Sequence, residues 1–182
     1  MSRPGPQFEA VLAASSAGLS DVLAPHLSVV FCGLNPANSA VRDGHNFSSP
    51  SNRFWRVLHF SGFTPCLLRA DQERQILEYG CGVTAFVSRA TKSAAELRPQ
   101  DYASAAPDFE RKIAAFQPAR LAFLGKRAFA SLFQTQRLEW GRQTVKFGGA
   151  EIWVLPNPSG LNRSFSLHRL VEEYTRLRAS YE

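Results

Sequence analysis

Residues 27–37 read LSVVFCGLNPA, and this stretch decides the fold. Its first half is a short apolar run with Val29, Val30 and Phe31 at its centre. A run of this length without polar alternation marks a strand buried on both faces. It ends at Gly33 and passes through Asn35-Pro36 into a loop. RLAFLG at 120–125 repeats the pattern, and KRAFASLF follows it as a helix. GVTAFV at 82–87 reads as another strand. TVKF and EIWVL, on either side of Gly148-Gly149-Ala150, read as a hairpin or two close strands.

Helices fall between these strands. Ser51 or Asn52 can cap one that carries Phe54, Trp55, Leu58 and His59, with Gly62 closing it. Residues 71–79 predict a short helix, and PDFERKIAAF at 107–116 predicts another, stopped by Pro118. The last helix places Leu167, Leu170, Val171, Tyr174, Leu177 and Tyr181 on one face. Strands alternating with helices predict an α/β fold, a three-layer α/β/α sandwich around a central, mostly parallel β-sheet. Ligands of such sheets bind beyond the carboxyl ends of the strands. The loops at 34–50, 88–98 and 156–165 each follow a strand, so they should gather at one edge.

The chain has 182 residues, which suits one domain. Residues 1–18, rich in Ser, Ala, Gly and Pro, read as a flexible N-terminal arm, and 19–182 as the single globular domain. Hydrophobic residues are 45% and charged residues 20%, the balance of an ordinary globule. The net charge of +6 favours an anionic partner such as nucleic acid. Residues 111–182 hold 12 basic and 5 acidic residues, a local +7, so that part should help hold the partner.

Several function classes drop out. There is no GxGxxG, no P-loop and no GxSxG elbow. The 3 cysteines are widely spaced, which argues against a disulfide framework or a zinc site. The 4 histidines lack metal-ligand spacing. No apolar run is long enough to span a membrane, and MSRPGPQFEA is no signal peptide. The expectation is a cytoplasmic protein without metal or cofactor.

What remains distinctive is a set of loop amides: Asn35, Asn46, Asn157 and Asn162. Pro36 biases Asn35 to an extended conformation, which would fix its carboxamide at the strand's end. A carboxamide can position a water but cannot take its proton. Phe47 offers a flat apolar face, or a core plug. In LPNPSGLNRSF (155–165), Leu161 stands at the tip of a polar loop beside Arg163. That pair suits a duplex-probing wedge, although Leu161 could also fold back as a helix staple.

Together, GLNPA (33–37), GHNF (44–47), NRFW (52–55), CGVT (81–84), LGK (124–126) and WVLPNPSGLNR (153–163) resemble one family. It is the mismatch-specific uracil-DNA glycosylases (bacterial Mug and the thymine-DNA glycosylases) of the uracil-DNA glycosylase superfamily. The similarity runs from about Asp21 to the last helix. The resemblance implies a monofunctional, monomeric glycosylase that flips uracil or a related base from duplex DNA, mainly opposite guanine, in base excision repair. It assigns the attacking water to Asn35 and places Leu34, Phe47 and Asn157 around the flipped base. It makes Gly160, Leu161, Asn162 and Arg163 the wedge that meets the widowed guanine, and gives Ser39 a phosphate contact.

Ala37, Ala40, Ala85 and Asn162 depart from the family pattern, and Lys92 and Ser93 are candidates to replace lost contacts. No aspartate stands at position 35 and no histidine opens the second motif, which implies slow turnover. The alternative is a mismatch- or lesion-binding protein with negligible catalysis.

Overall fold

A computed structural model describes residues 19–136 and 138–181; the arm read over 1–18 lies outside them. In chain order the elements begin with β1 (Val29–Gly33), α1 (Asn38–Asp43) and α2 (Phe54–Phe60). A 3₁₀ segment (Ala70–Tyr79), β2 (Cys81–Ala85) and a 3₁₀ turn (Ala94–Glu96) follow. Then come α3 (Pro99–Phe116), β3 (Arg120–Leu124), α4 (Lys126–Phe133), β4 (Gly141–Phe147), β5 (Ala150–Leu155) and α5 (Leu167–Ala179). The strands form one 5-stranded sheet in the order β2-β1-β3-β5-β4. β1 pairs in parallel with β2 and β3, and β3 with β5, while β4 lies antiparallel at the edge.

The apolar runs explain the layers. Successive side chains of a strand point to opposite faces. Val29 and Phe31 face one way, with Val83, Leu124 and Leu155, onto α2, the 3₁₀ segment and α5. Val30 and Cys32 face the other way, with Leu121, Phe123 and Val154, onto α3 and α4. Phe31 meets Phe54 edge-to-face at 5.5 Å and is fully buried. Truncating so enclosed an aromatic to alanine typically costs about 3–5 kcal/mol. This is the three-layer sandwich the alternation predicts.

Local boundaries differ. The helix read over 107–116 starts at Pro99 and runs to Phe116. Pro99 occupies the first turn, where a missing N–H costs nothing, and the Asp101 carboxylate accepts the Arg98 N–H at 2.7 Å. Pro107 sits inside the helix; the Ala103 carbonyl it strands lies among exposed residues, open to solvent. The loop at 34–50 contains α1, too short to show a period and ended by Gly44 at φ 75°. Residues 71–79 wind as part of the 3₁₀ segment. The strand read over 82–87 is Cys81–Ala85; Phe86 and Val87 leave it but donate their N–H groups to Gly33 and Leu34 at 2.9 Å. The helix cap is shared: Arg53 is the first flanking residue, and Asn52 Oδ1 accepts the Phe54 N–H at 3.0 Å. No described helix is long and apolar enough to cross a membrane.

Candidate active site

The loops after β1, β2 and β5 do meet at one sheet edge. With the start of α4 they enclose a cleft of about 580 Å³. Leu34, Asn35, Ser39, Phe47, Asn157, Leu161 and Asn162 all line it. Gly160 and Arg163 stand on the same loop, exposed at its outer side. The Leu34 carbonyl accepts the Val87 N–H and its side chain packs on the α3/α4 core, at the wall of the cleft.

Two amides face this space with opposite polarity. Asn35 Nδ2 donates to the Arg89 carbonyl at 3.0 Å and to Thr91 Oγ1 at 2.8 Å. A carbonyl can only accept, so the amide nitrogen must lie on that side. Oδ1 is left without a donor among the described residues. Asn157 is the reverse. Its Oδ1 accepts the Ser159 N–H at 2.8 Å, and Nδ2 has no acceptor among the described residues. Gly125, at φ 111°, backs Asn157: a Cβ there would lie 3.7 Å from the Asn157 Cβ.

The Arg89 carbonyl is itself held. The Arg89 side chain pairs with Asp101 at 2.8 Å and donates to the Glu96 carbonyl. The guanidinium beside Asp101, helped by the Arg98 N–H, holds that carboxyl down at about 2. Thr91 is buried and exchanges main-chain hydrogen bonds with Pro36 and Asn38. The two loops are therefore stitched together around Asn35.

Phe47 is half-buried, at φ 54°. That left-handed backbone is unfavourable for a residue with a bulky side chain. It is held by Glu73, whose Oε2 accepts the Asn46 N–H at 2.7 Å and Asn46 Nδ2 at 3.0 Å. His45 lies 3.5 Å from the same carboxylate. The ring stacks on Phe54 at 4.0 Å between centroids. Phe47 thus both lines the cleft and plugs the core.

The loop after β5 is rigidly seated. Arg53 donates to the carbonyls of Pro158, Ser159, Asn162 and Phe165. Asn162 Nδ2 donates to the Asn157 carbonyl at 2.9 Å. A Cβ on Gly160 would fall 2.6 Å from the Ser51 Cβ, so only glycine fits that approach. Leu161 is 85% exposed and does not fold back as a staple.

The departures from the family pattern are placed as follows. Ala37 has φ −76°, an extended backbone that needs no glycine. Ala40 is buried and Ala85 lines the cleft. Lys92 and Ser93 both line the cleft, and Ser93 also caps the 3₁₀ turn by accepting the Ala95 N–H at 3.3 Å. The basic C-terminal part supplies fewer cations to the cleft than its charge suggests: among its described residues, only Lys126 and Arg127 line it. Arg120 stacks on Tyr181, and Arg142 pairs with Glu151 across the edge hairpin. Lys126 donates to the Leu138 carbonyl and covers the Trp140 ring at 4.5 Å. No carboxylate or imidazole is among the described lining residues. Among the described residues no group of three or more His, Cys, Asp or Glu could hold a metal ion.

Arg53, Glu73 and Thr91 are absent from the residues the sequence puts forward. Arg53 lies inside the quoted NRFW segment, yet its partners are 105 to 112 positions away. Glu73 and Thr91 carry no motif, and no local pattern announces them.

The fold and the matched family agree. The solution NMR structure of a candidate uracil DNA glycosylase from Methanosarcina acetivorans superposes with a TM-score of 0.63 at 20% identity. The match covers 91% of this chain and 98% of that one, and at such identity it speaks for the fold. The family model described as the uracil DNA glycosylase superfamily matches residues 20–177. That span contains the sheet and every cleft residue named above, and the chain belongs to the uracil DNA glycosylase superfamily.

Proposed function

We propose that this DNA glycosylase hydrolyses the N-glycosidic bond of uracil or a related damaged base, mainly opposite guanine in duplex DNA, as a step of base excision repair. The observation that carries the reading is the pair of oppositely polarised amides, Asn35 and Asn157, on one cleft. Taking a base out of the stack costs a few kcal/mol, least for a mispaired one. Leu161 enters the vacated space and Arg163 meets the widowed guanine. Gly160 and Asn162 hold that loop's shape. The extruded base stacks on Phe47, beside the Leu34 main chain.

Asn35 Oδ1 accepts a hydrogen bond from water and aims its oxygen at the anomeric carbon. The new C–O bond forms as the C–N bond breaks, and the electron pair leaves with the base. Asn157 Nδ2 donates to that developing anion. The water's proton passes to solvent, because an amide does not take it. Ser39, Lys92 and Arg127, which line the cleft, meet backbone phosphates in this scheme. The scheme needs no cofactor or metal and one protomer, in the cytoplasm. With no carboxylate or imidazole among the described residues that line the cleft, turnover is slow.

The test is abasic-site formation on a G:U duplex. Wild-type protein should leave alkali-labile strands, and Asn35→Ala should bind the duplex without cutting the glycosidic bond. Full cleavage by Asn35→Ala would sink the assignment. The missing carboxylate favours one other reading, a lesion-binding protein with negligible catalysis. Tight G:U binding by wild type with no abasic product would establish it. A panel of modified bases opposite guanine and in single strands then defines the substrate range.

A further inference from the structure

We infer that Arg53 is a positioning residue for the wedge: it holds the main chain of residues 158–165 inward so that Leu161 is carried outward. The inference rests on the glycosylase reading above and adds a residue to it. Nε donates to Pro158 O at 3.2 Å and Nη1 to Phe165 O at 2.5 Å. Nη2 donates to Ser159 O at 2.8 Å and Asn162 O at 2.9 Å. The Arg53 main-chain N–H adds a bond to Pro158 O at 3.0 Å. One planar fork thus gathers four carbonyls from a single loop. A lysine, with a compact ammonium, cannot hold four acceptors in that geometry.

Two consequences follow. An exposed leucine gains by collapsing onto nearby apolar surface, and a loop free to move would let it. The Arg53 spokes and the Gly160 seat on Ser51 remove that freedom, leaving Leu161 85% exposed. The spokes also turn four carbonyl dipoles away from the outer face, where they would repel DNA phosphates. With four of its five N–H donors spent on carbonyls, Arg53 is poorly placed to bind phosphate itself. The chain continues to the cleft: Asn162 joins Arg53 through its carbonyl and Asn157 through its side chain.

A double-mutant cycle tests this. Arg53→Lys, Leu161→Ala and the pair are compared for affinity to a duplex holding a tetrahydrofuran abasic analogue opposite guanine. Affinity to the undamaged duplex and its salt dependence are measured alongside. Arg53→Lys should weaken abasic-duplex binding roughly ten- to a hundredfold, as for one or two lost charge-assisted bonds. Undamaged-duplex affinity and its salt slope should stay unchanged. The double variant should be no weaker than Leu161→Ala, within about twofold.

Penalties that multiply overturn the inference. So does a shallower salt slope in Arg53→Lys, which would make Arg53 a phosphate contact. Should Arg53→Lys fold poorly, Gly160→Ala displaces the same loop without touching the cation. It must then show the same non-additivity with Leu161→Ala. A wild-type protein that neither prefers the abasic duplex nor cleaves G:U refutes the glycosylase reading. Selective wild-type binding with multiplying penalties refutes only the role of Arg53.

Discussion

Replacing Gly160 with alanine probes how the loop after β5 is seated. The new Cβ would lie 2.6 Å from the Ser51 Cβ, 2.7 Å from its carbonyl oxygen and 2.8 Å from its Oγ. Comfortable carbon contacts begin near about 3.5 Å, so the loop must lift by about 1 Å. The backbone at Gly160 is not left-handed, so the cost is steric alone. A lift of that size takes the Arg53 bonds, now 2.8–3.2 Å to Ser159, Asn162 and Pro158, past the useful limit of about 3.5 Å. Overpacking of this kind costs about 1–3 kcal/mol. Felt at the wedge, that is roughly a five- to 150-fold loss in single-turnover G:U excision. For a chain of this length the same cost lowers Tm by roughly 2–12 °C. Ser51→Gly should restore only part of the loss, because the carbonyl contact persists. Wild-type excision and abasic-duplex affinity in Gly160→Ala would refute the reasoning.

Other perturbations separate the remaining contacts. Thr91→Val removes one acceptor of the Asn35 amide at constant shape; excision should fall roughly two- to tenfold with duplex affinity unchanged. An unchanged single-turnover rate would show that Thr91 does not orient Asn35. Glu73→Ala frees the Asn46 N–H and lets Phe47 leave its left-handed backbone, so excision should drop roughly tenfold or more; a rate equal to wild type contradicts this. Lys112→Met removes the cation 2.7 Å from the Asp21 carboxylate, whose side chain is 9% exposed and which also accepts from Thr84. It should cost about 3 kcal/mol in urea unfolding, and a loss under about 1 kcal/mol would mean the pair is well hydrated. Burial pushes the Cys81 thiol up to about 12 and Cys32 higher still, so both stay protonated at pH 8. A disulfide reagent at pH 8 should therefore label only exposed Cys66 in the folded protein, and all 3 thiols after denaturation. Two fast thiols in the native state would count against the burial.

The sequence by itself determined the sandwich, because strands buried on both faces must be written as apolar runs, and LSVVFCG and RLAFLG are. It also determined the cleft's candidates, since Asn35, Phe47, Asn157 and Leu161 stand in loops that directly follow such strands or in the motifs beside them. It was less able to place element ends. α3 starts 8 residues earlier than PDFERKIAAF suggests, because a proline inside an exposed turn is tolerated. Nor did the basic C-terminal stretch predict where its charges lie, since Arg120 and Arg142 are drawn to Tyr181 and Glu151.

Only the tertiary structure decided which end of each amide faces the cleft, what holds Phe47 against its backbone preference, and what fixes Leu161 in the open. Periodicity records which face of its own element a side chain takes. The partners of Arg53 are 105 to 112 residues away, and those of Asn35 are 54 and 56. They meet because the order β2-β1-β3-β5 sets four parallel strand ends side by side. Polar contacts made across that edge leave no mark on the local pattern of the chain.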